Sequence, residues 1–342
     1  MPPKTEAIHI LKPVTLKFMA AKLKMSISTV SKALHNYPTI NEYTRKRVQE
    51  MARDLQYIPN QSAISLQGRK SRIIGVILPH LGDHFFTRSI YGIEQMAREQ
   101  GYNVIISQSY DDLEKEIELA DMLFKSRVDG LIVAISKNTE NFKHLDQFEQ
   151  MGVPVVYYTR NPSFNLNCHK VLGNTFQGCY EATRFLINRG HTNIAYLGGP
   201  KMINFTHDRF NGYINALKDH HVPFQASLVA YTDFNKENTV SAMANLFSNP
   251  AHQPTALVAF KEPVLFDAIK YLRHIHRQEV ECIGFGNSPF ISYLENPPLA
   301  SVEENPEDVG KKAIQLLLKL MNKEIRMADY QKVMIDCALV IH

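Results

Sequence analysis

A run of small hydroxylated side chains between Ser26 and Lys32 ends in a cation. The run includes Ser28, Thr29 and Ser31. A helix that enters the major groove of DNA needs short side chains for close approach, and hydroxyl groups can bond to phosphates and base edges. An ordinary solvated helix face has the same composition. The run alone therefore leaves both interpretations open.

Two short helices separated by a tight turn must position this run. Lys24 and Met25 fill the predicted turn, and Ser26 can cap the second helix. A third helix is predicted over about 42–55, with Asn41 as its cap. Apolar residues at helical spacing would form the common core of the three helices: Leu16, Met19, Ala20, Leu23, Val30, Ala33, Leu34, Val48, Met51, Ala52 and Leu55.

The basic residues are concentrated at the beginning of the chain. Residues 1–72 contain 13 Lys and Arg against 4 Asp and Glu, so this part carries +9 while the whole chain of 342 residues carries +4. A basic head on an acidic body is typical of a nucleic-acid-binding module joined to a second unit. A membrane surface would also attract the head, but the large apolar face of an interfacial helix is missing. Arg45, Lys46 and Arg47 are expected to be exposed, either near DNA phosphates or simply solvated.

The segment SISTVSKALHNYPTINEYTRKRVQEMARDLQYIPN resembles the DNA-binding head of the LacI/GalR repressor family, and the resemblance continues to about Met321. It is carried by TVS before a basic residue and a leucine, by Thr-Arg after a polar cap, and by the closing Tyr-Ile-Pro-Asn. Phe18 replaces the usual Asp, and Lys24 replaces the common turn glycine. A left-handed lysine costs about 1 kcal/mol, so this turn is expected to be slightly reshaped.

The resemblance implies which residues contact DNA, with Ile27 and Ser28 reading the base sequence. The full set is Leu16, Lys17, Ser26, Ile27, Ser28, Thr29, Ser31, Lys32, His35, Thr44, Tyr57, Asn60, Ala63 and Leu66.

A short helix is predicted at 61–66, where Asn60 can cap it and Gly68 ends it. An isolated helix of this length is unstable in water, so it must gain stability from DNA or a partner. The resemblance implies a hinge helix that folds when two copies lie together in the minor groove, with Leu66 wedged into a base step. A plain polar linker is the alternative.

From Arg72 onwards, apolar strand-like runs alternate with helical stretches, which predicts parallel sheets covered by helices. Two such series predict an α/β body with two lobes. The run at 170–174 is assigned to the second series, and 331–341 to a single final strand. The resemblance implies a periplasmic-binding-protein type I body behind a helix-turn-helix head.

The expected domains follow from these elements. They are a disordered extension at 1–13, the helix-turn-helix head at 14–58, a hinge and linker at 59–71, and an effector-binding and dimerisation body at 72–342. Its N-lobe would comprise about 72–158 and 290–321, and its C-lobe about 162–287 and 326–342, with crossovers near 158–161, 287–290 and 322–326.

Ligands of paired α/β lobes bind where the carboxyl ends of strands meet across the crevice. Phe85 and Phe86 follow the first strand and are expected either to stack on a flat ring or to pack in the core. Arg209, in DRFNGY, matches a family arginine that binds the effector, and an interlobe ion pair is the alternative. The expected effector-binding residues are His84, Phe85, Phe86, Ser136, Thr159, Arg160, Phe205, Arg209, Phe260, Lys261 and Asn287.

The charge of this cleft departs from the family pattern. Thr159, Lys261 and Asn287 lie at positions where many members have acids. With Arg160 and Arg209 retained, we expect a positive cleft that suits an anionic ligand such as a phosphosugar, a sugar acid or a nucleotide-like compound. A degenerate cleft that binds nothing also fits the residues.

These observations predict a sequence-specific transcriptional regulator, with repression as the expected mode, that binds a pseudo-palindromic operator in double-stranded DNA as a homodimer. The chain ends soon after the last strand without a leucine heptad for a tetramer. It also lacks a signal-peptide pattern and an apolar run of membrane-spanning length, so a cytoplasmic location is expected. A transport-type solute-binding protein and a regulator with an effector-free cleft are the alternatives.

An enzyme is not expected, because the chain contains no GxSxG, P-loop, GxGxxG after the first strand or metal-spaced His pair. Asp111 and Asp112 are interpreted as surface residues. No cofactor and no metal are expected. The four cysteines show no metal-binding spacing and are interpreted as free thiols: Cys168, Cys179, Cys282 and Cys337.

Overall fold

The computed structural model describes residues 14–57, 70–160, 167–250 and 253–342. The chain divides into two compact units, Met1–Ser71 and Arg72–His342. The described part of the first unit, the head, contains α1 (Leu16–Leu23), α2 (Ile27–Leu34) and α3 (Glu42–Asp54). The expected disordered extension at 1–13 and the predicted hinge helix at 61–66 lie outside the described residues.

Side-chain caps begin all three helices of the head. Thr15, Ser26 and Asn41 each accept a hydrogen bond from the backbone amide three residues further on, at 3.2, 3.0 and 2.8 Å. These bonds satisfy amides that have no partner inside the helix. Lys24 ends α1 in the ordinary left-handed conformation, with φ at 53° and ψ at 43°, so the expected reshaping of this turn is wrong. Six apolar side chains then close the core of the head: Met19, Ala20, Leu23, Val30, Ala33 and Val48.

The second unit, the body, contains two six-stranded sheets. Its strands are β1 (Ile73–Leu78), β2 (Asn103–Gln108), β3 (Gly130–Val133), β4 (Val155–Tyr158), β5 (His169–Gly173), β6 (Ile194–Gly198), β7 (Val229–Tyr231), β8 (Ala256–Ala259), β9 (Glu281–Phe285), β10 (Ala300–Glu303), β11 (Lys332–Ile335) and β12 (Ala338–Ile341). Its α-helices are α4 (His84–Glu99), α5 (Leu113–Lys125), α6 (Lys143–Gln150), α7 (Thr175–Asn188), α8 (Asn204–Asp219), α9 (Lys236–Leu246), α10 (Glu262–His274) and α11 (Pro306–Met321).

The two sheets have matching topologies. The first has the order β11-β5-β4-β3-β1-β2, and the second has the order β12-β10-β9-β8-β6-β7. All neighbours run parallel except β12, which is antiparallel to β10. The next-to-edge strands β1 and β6 are almost fully buried, because helices cover both faces of a parallel sheet. The predicted two-lobed parallel α/β body is confirmed.

The predicted crossovers between the lobes are wrong. β5 pairs with β4 through Val156 and His169 and therefore belongs to the first sheet, not the second. α11 packs in the core of the first sheet. Lobe 1 therefore comprises 72–173 and 306–335, and lobe 2 comprises 175–303 and 338–342. The chain crosses between them at 173–175, 303–306 and 335–338, each time about 14 residues later than the sequence predicts.

The single final strand predicted at 331–341 is also wrong. Asp336 and Cys337 interrupt it, so that β11 pairs with β5 in the first sheet and β12 pairs with β10 in the second. Asn305 donates a hydrogen bond from its side chain to the Asp336 carbonyl at 2.9 Å. This bond joins two of the three crossovers directly. Asn174 of the first crossover donates to the Asp336 carboxylate at 3.1 Å, so the three crossovers form one connected layer between the lobes.

Glycines allow helices to approach closely at two places in the body. A Cβ atom on Gly310 of α11 would collide with the backbone carbonyl of Ser89 in α4, and a Cβ on Gly212 of α8 would collide with the carbonyl of Phe176 in α7. These helix pairs cover the two sheets on corresponding sides. The close contact with α11 holds α4 against the first sheet, and α4 begins at His84, shortly after the carboxyl end of β1.

Candidate functional site

The head exposes one face of α2. Ile27 is 49% exposed although it is apolar, and Ser28 and Lys32 are also exposed. Thr29 and Ser31 are half-buried. The Ser26 and Thr29 hydroxyls are 2.8 Å apart and hydrogen-bonded. Short side chains beside an exposed apolar group give this face the shape that a base-reading helix requires.

The basic start of α3 is only partly as predicted. Arg45 is half-buried, and its guanidinium donates to the carbonyls of Tyr37 at 3.3 Å and Ile40 at 3.0 Å. The expectation that it is exposed is wrong, because it closes the loop before α3. Lys46 is exposed and pairs with Glu42 at 3.0 Å.

The remaining predicted DNA-contacting residues of the head differ in exposure. Lys17 and His35 are exposed, whereas Leu16, Thr44 and Tyr57 are half-buried. Leu16 and Tyr57 pack against the core of the head, and burial raises the pKa of Tyr57. Asn60, Ala63 and Leu66 lie outside the described residues.

A cavity of about 240 Å³ lies between the lobes. We call it the inner cavity. The loops after β1, β4, β7, β8 and β9, the first two turns of α8 and the crossover at 303–306 enclose it. Ten of the eleven predicted effector residues line it: His84, Phe85, Phe86, Thr159, Arg160, Phe205, Arg209, Phe260, Lys261 and Asn287.

Ser136 is the exception among the predicted effector residues, because it lines a neighbouring cavity. It is buried, and its amide donates to Glu116 at 2.5 Å while its hydroxyl contacts the Ser109 hydroxyl at 3.1 Å. Glu116 is itself fully buried and lies 2.8 Å from His144 Nε2. Ser136 therefore supports the wall of lobe 1.

Phenylalanine rings dominate the wall of the inner cavity. Phe205 and Phe234 both stack against Phe260, and each ring centroid lies 5.4 Å from that of Phe260. Phe86 is almost completely buried and contacts Tyr158 edge-on, so it packs in the core of lobe 1. Three further rings line the cavity that the sequence did not predict: Phe234, Phe285 and Phe290.

Arg209 is the most deeply buried cation of the cavity wall. It is 2% exposed, and its guanidinium pairs with Glu304 at 2.5 Å and donates to the carbonyl of Phe260. Its guanidinium carbon lies 3.6 Å from the ring centroid of Phe285 and 4.6 Å from that of Phe205. Burial raises the pKa of Glu304, and the positive charge of Arg209 opposes that shift. The ion pair thus fixes the crossover at 303–306 to α8.

The other two cations also have carboxylate partners. Arg160 pairs with Asp111 at 2.5 Å, and both side chains are less than 10% exposed. Lys261 Nζ lies 3.6 Å from Asp83 and 4.1 Å from the ring centroid of Phe234. Burial lowers the pKa of Lys261, and the Asp83 carboxylate opposes the shift.

These pairs overturn the expectation of a positive cleft. The inner cavity is lined by three cations and by four carboxylates, which are Asp83, Glu262, Glu303 and Glu304. The interpretation of Asp111 as a surface residue is wrong as well, because it is the buried partner of Arg160. Glu303 and Glu304 lie at the carboxyl end of β10, where a pair of acids would have predicted negative charge in the cleft. The pair was not predicted as part of the cleft because β10 itself was not predicted.

A second cavity, of about 400 Å³, adjoins the inner one and shares Arg160 with it. We call it the outer cavity. It lies between the loop after β3 in lobe 1 and the segment before and within the first turn of α8 in lobe 2. Its charged and titratable lining residues are Lys137, Glu140, Arg160, Lys201 and His207.

Metal chemistry and membrane insertion find no support within the described ranges of the chain. The described residues contain no group of three or more His, Cys, Asp or Glu that could hold a metal ion. The helices of the described part are all too short or too polar to cross a membrane. The four cysteines are free thiols, as predicted.

The fold and the two regions described above define a class of protein, in which a helix-turn-helix head is joined to a two-lobed α/β body like that of periplasmic binding proteins. A family model described as bacterial regulatory proteins, lacI family, matches residues 15–60. Another, described as periplasmic binding proteins and sugar binding domain of the LacI family, matches residues 71–342. The chain belongs to the LacI family of bacterial transcriptional regulators.

Individual relatives agree with this assignment. Catabolite control protein A of Priestia megaterium is 30% identical over 315 residues, which cover 91% of this chain and 93% of that protein. The HTH-type transcriptional repressor CytR of Escherichia coli strain K12 is 28% identical over 330 residues, or 96% of this chain and 95% of that protein. The crystal structure of the lac repressor dimer bound to operator and the anti-inducer ONPF has the same fold, with a TM-score of 0.81 at 22% identity over 96% of this chain and 98% of that one.

Proposed function

We propose that this protein is a repressor that binds a pseudo-palindromic operator as a homodimer, with one head on each half-site. The observation that carries the proposal is the exposed face of α2, where apolar Ile27 stands beside Ser28 and Lys32. Ile27 and Ser28 are proposed to read base edges, and Lys32 to contact DNA beside them. Two-fold symmetry of the protein would set the symmetry of the operator.

The experiment that tests this proposal selects DNA sites from a random pool with the full chain. The expected result is an inverted repeat bound by two chains, with an affinity that falls steeply as salt rises. Sedimentation of the free and DNA-bound protein measures the number of chains. Selection of a single, non-repeated half-site would contradict the dimer, and selection of no sequence at all would contradict the repressor.

We further propose that a small-molecule effector binds in the inner cavity and changes DNA affinity by altering how the lobes close. The predicted anionic ligand does not suit this cavity, because its three cations already have carboxylate partners. The wall of phenylalanine rings supports a ligand with a flat or apolar face instead, and the carboxylates support hydroxyl or amine donors on its edge.

A thermal-shift screen of the full chain with sugars, phosphosugars, uronates, nucleobases and nucleosides tests the effector. A ligand of the inner cavity should lose affinity in Phe290→Ala, because this 74% exposed ring lies at the cavity without supporting a core. Tyr293→Ala removes an even more exposed ring from the same segment, outside the cavity lining, and should leave binding unchanged. Equal loss in both variants would contradict the proposed position.

A regulator with an effector-free cleft is the second candidate, and the internal ion pairs are the specific observation in its favour. Arg209 is almost completely buried by three rings and Glu304, so a ligand cannot reach it without displacing a partner. The screen discriminates the two candidates, because an effector-free cleft predicts no stabilisation by any of the compound classes while operator binding is retained.

A further inference from the structure

The outer cavity differs from the inner one in how its positive charges are compensated. Each cation of the inner cavity has a carboxylate within 4 Å. Lys137 and Lys201 form no such ion pair with any described residue, and both line the outer cavity.

The position of Lys137 is fixed by a buried carboxylate. Asp111 accepts hydrogen bonds from the Lys137 backbone amide at 2.8 Å and from the Arg160 guanidinium at 2.5 Å. These two hydrogen bonds hold the Lys137 backbone and the Arg160 side chain to the same carboxylate of lobe 1. Both bonds end on the same carboxylate oxygen, Oδ1, and the ion pair of Asp111 is with Arg160 and not with the Lys137 ammonium group.

Lobe 2 supplies the facing cations. Lys201 Nζ lies 4.8 Å from the ring centroid of Tyr231, and His207 is exposed on the first turn of α8. The first turn of α8 contains no acidic residue, so the positive end of the helix dipole adds to the same field. Glu140 is the acidic residue among the described lining residues, and it is exposed to solvent. Outside the lining, hydrogen bonds from Asn238 and from the Asn235 amide lower the pKa of the exposed Asp233, and the charge of Lys137 adds to that shift as its smallest cause.

We propose that the outer cavity is a second ligand site that binds a compact anionic group, phosphate or carboxylate, between Lys137 of lobe 1 and Lys201 and His207 of lobe 2. Cations on opposite walls repel each other when the lobes approach, and an anion between them converts that repulsion into attraction. The anion would therefore stabilise the closed arrangement of the lobes. Its effect on DNA affinity rests on the proposed function, but its binding does not.

The test uses the full chain and inorganic phosphate at constant ionic strength, with sodium chloride as the compensating salt. Phosphate should raise the melting temperature in a saturable way, because a ligand that binds only the folded state stabilises it by mass action. Lys137→Gln/Lys201→Gln should weaken the apparent affinity for phosphate at least about tenfold, since it removes two charge-assisted contacts. Lys218→Gln/Lys312→Gln removes two exposed lysines outside both cavities and should bind phosphate like the unmodified protein.

A measurement on the unmodified protein complements the variants. Phosphate should protect Lys137 and Lys201 from acetylation while Lys218 and Lys312 react at their normal rates, as mass spectrometry can follow residue by residue. The proposal is overturned if phosphate stabilises no better than chloride, if both double variants respond alike, or if the lysines are not protected. Operator binding by the same variants is measured separately, so loss of phosphate binding with intact DNA binding overturns this site alone.

Discussion

The ion pair between Asp83 and Lys261 links the lobes directly, and its two members are not equivalent. Asp83 follows β1 in lobe 1, and Lys261 follows β8 in lobe 2. Their charges are 3.6 Å apart, which corresponds to a gross attraction of about 4.6 kcal/mol at an effective dielectric constant of 20. Burial is the larger influence on Lys261 and lowers its pKa. The net contribution is therefore far smaller than the gross attraction, about 1 kcal/mol for side chains that are still partly exposed.

The asymmetry predicts which substitution is harmful. Asp83→Asn should lower the free energy of unfolding of the body by about 1–2 kcal/mol, because it leaves a poorly solvated ammonium group without its counter-charge. The helix cap survives, because an Asn side-chain oxygen can also accept the hydrogen bond that Asp83 accepts from the Phe85 amide at 2.9 Å. Lys261→Met should be nearly neutral, since it removes the burial penalty together with the attraction and keeps the contact with Phe234.

Urea unfolding of the two single variants and the double variant closes this cycle. The double variant should recover most of the stability lost in Asp83→Asn, which corresponds to a coupling energy of about 1 kcal/mol. If Lys261→Met destabilises more than Asp83→Asn, or if the two changes are simply additive, the reasoning is refuted.

The pH dependence of the same pair has a definite sign. The pKa of Lys261 in the folded protein lies below its ordinary value of 10.5. Between the lowered pKa and 10.5 the unfolded chain binds more protons than the folded one, so this group makes stability increase with pH in that window. Lys261→Met should lack this contribution when unfolding is measured across alkaline pH. An unchanged slope would show that Lys261 titrates alike in both states.

Three further outcomes are expected. Replacing Ile27 and Ser28 together should change the preferred operator by about 1–3 kcal/mol per contacted base pair, and an unchanged preference in a site selection would remove them from the reading positions. Leu66→Ala should weaken specific more than non-specific binding, because a wedge acts only on kinked DNA; equal losses in a titration with both DNAs would argue for a plain linker. Gly310→Ala should destabilise the body by at least about 1 kcal/mol in urea unfolding despite its higher helix propensity, because the new methyl group collides with the Ser89 carbonyl; an increase in stability would show that α4 and α11 can separate freely.

Local chemistry predicted the elements of this chain better than their grouping. Ser26 and Asn41 cap their helices as their residue types predict, since caps depend on near neighbours. β5 was assigned to the wrong lobe because an apolar strand is compatible with either sheet. Its membership is decided by pairing with β4 and, at the other edge, with β11 about 160 residues later. Such long-range pairing leaves no periodic pattern in the sequence.

The charge of the cleft failed as a prediction for a related reason. Arg160 and Lys261 were placed at the cavity by strand ends and Arg209 by the family motif, and all three line the inner cavity. Their partners came from elsewhere: Asp111 from the loop after β2 and Glu304 from a crossover. Counting charges at family positions detects the cations, but compensation depends on which loops the fold brings beside them.

The late return of the chain to lobe 1 has a consequence for biosynthesis. Residues 73–173 supply five strands of the first sheet, but α11, which fills its core, begins only at Pro306. A ribosome adds about 5–20 residues per second, so the roughly 150 residues between β5 and the end of α11 take on the order of ten seconds to appear. During that interval the nascent lobe 1 presents the apolar surface that α11 later covers, while the described part of the head, which extends to Tyr57, has already been synthesised. The growing chain is therefore most vulnerable to aggregation, and most in need of a chaperone, while lobe 2 is being synthesised.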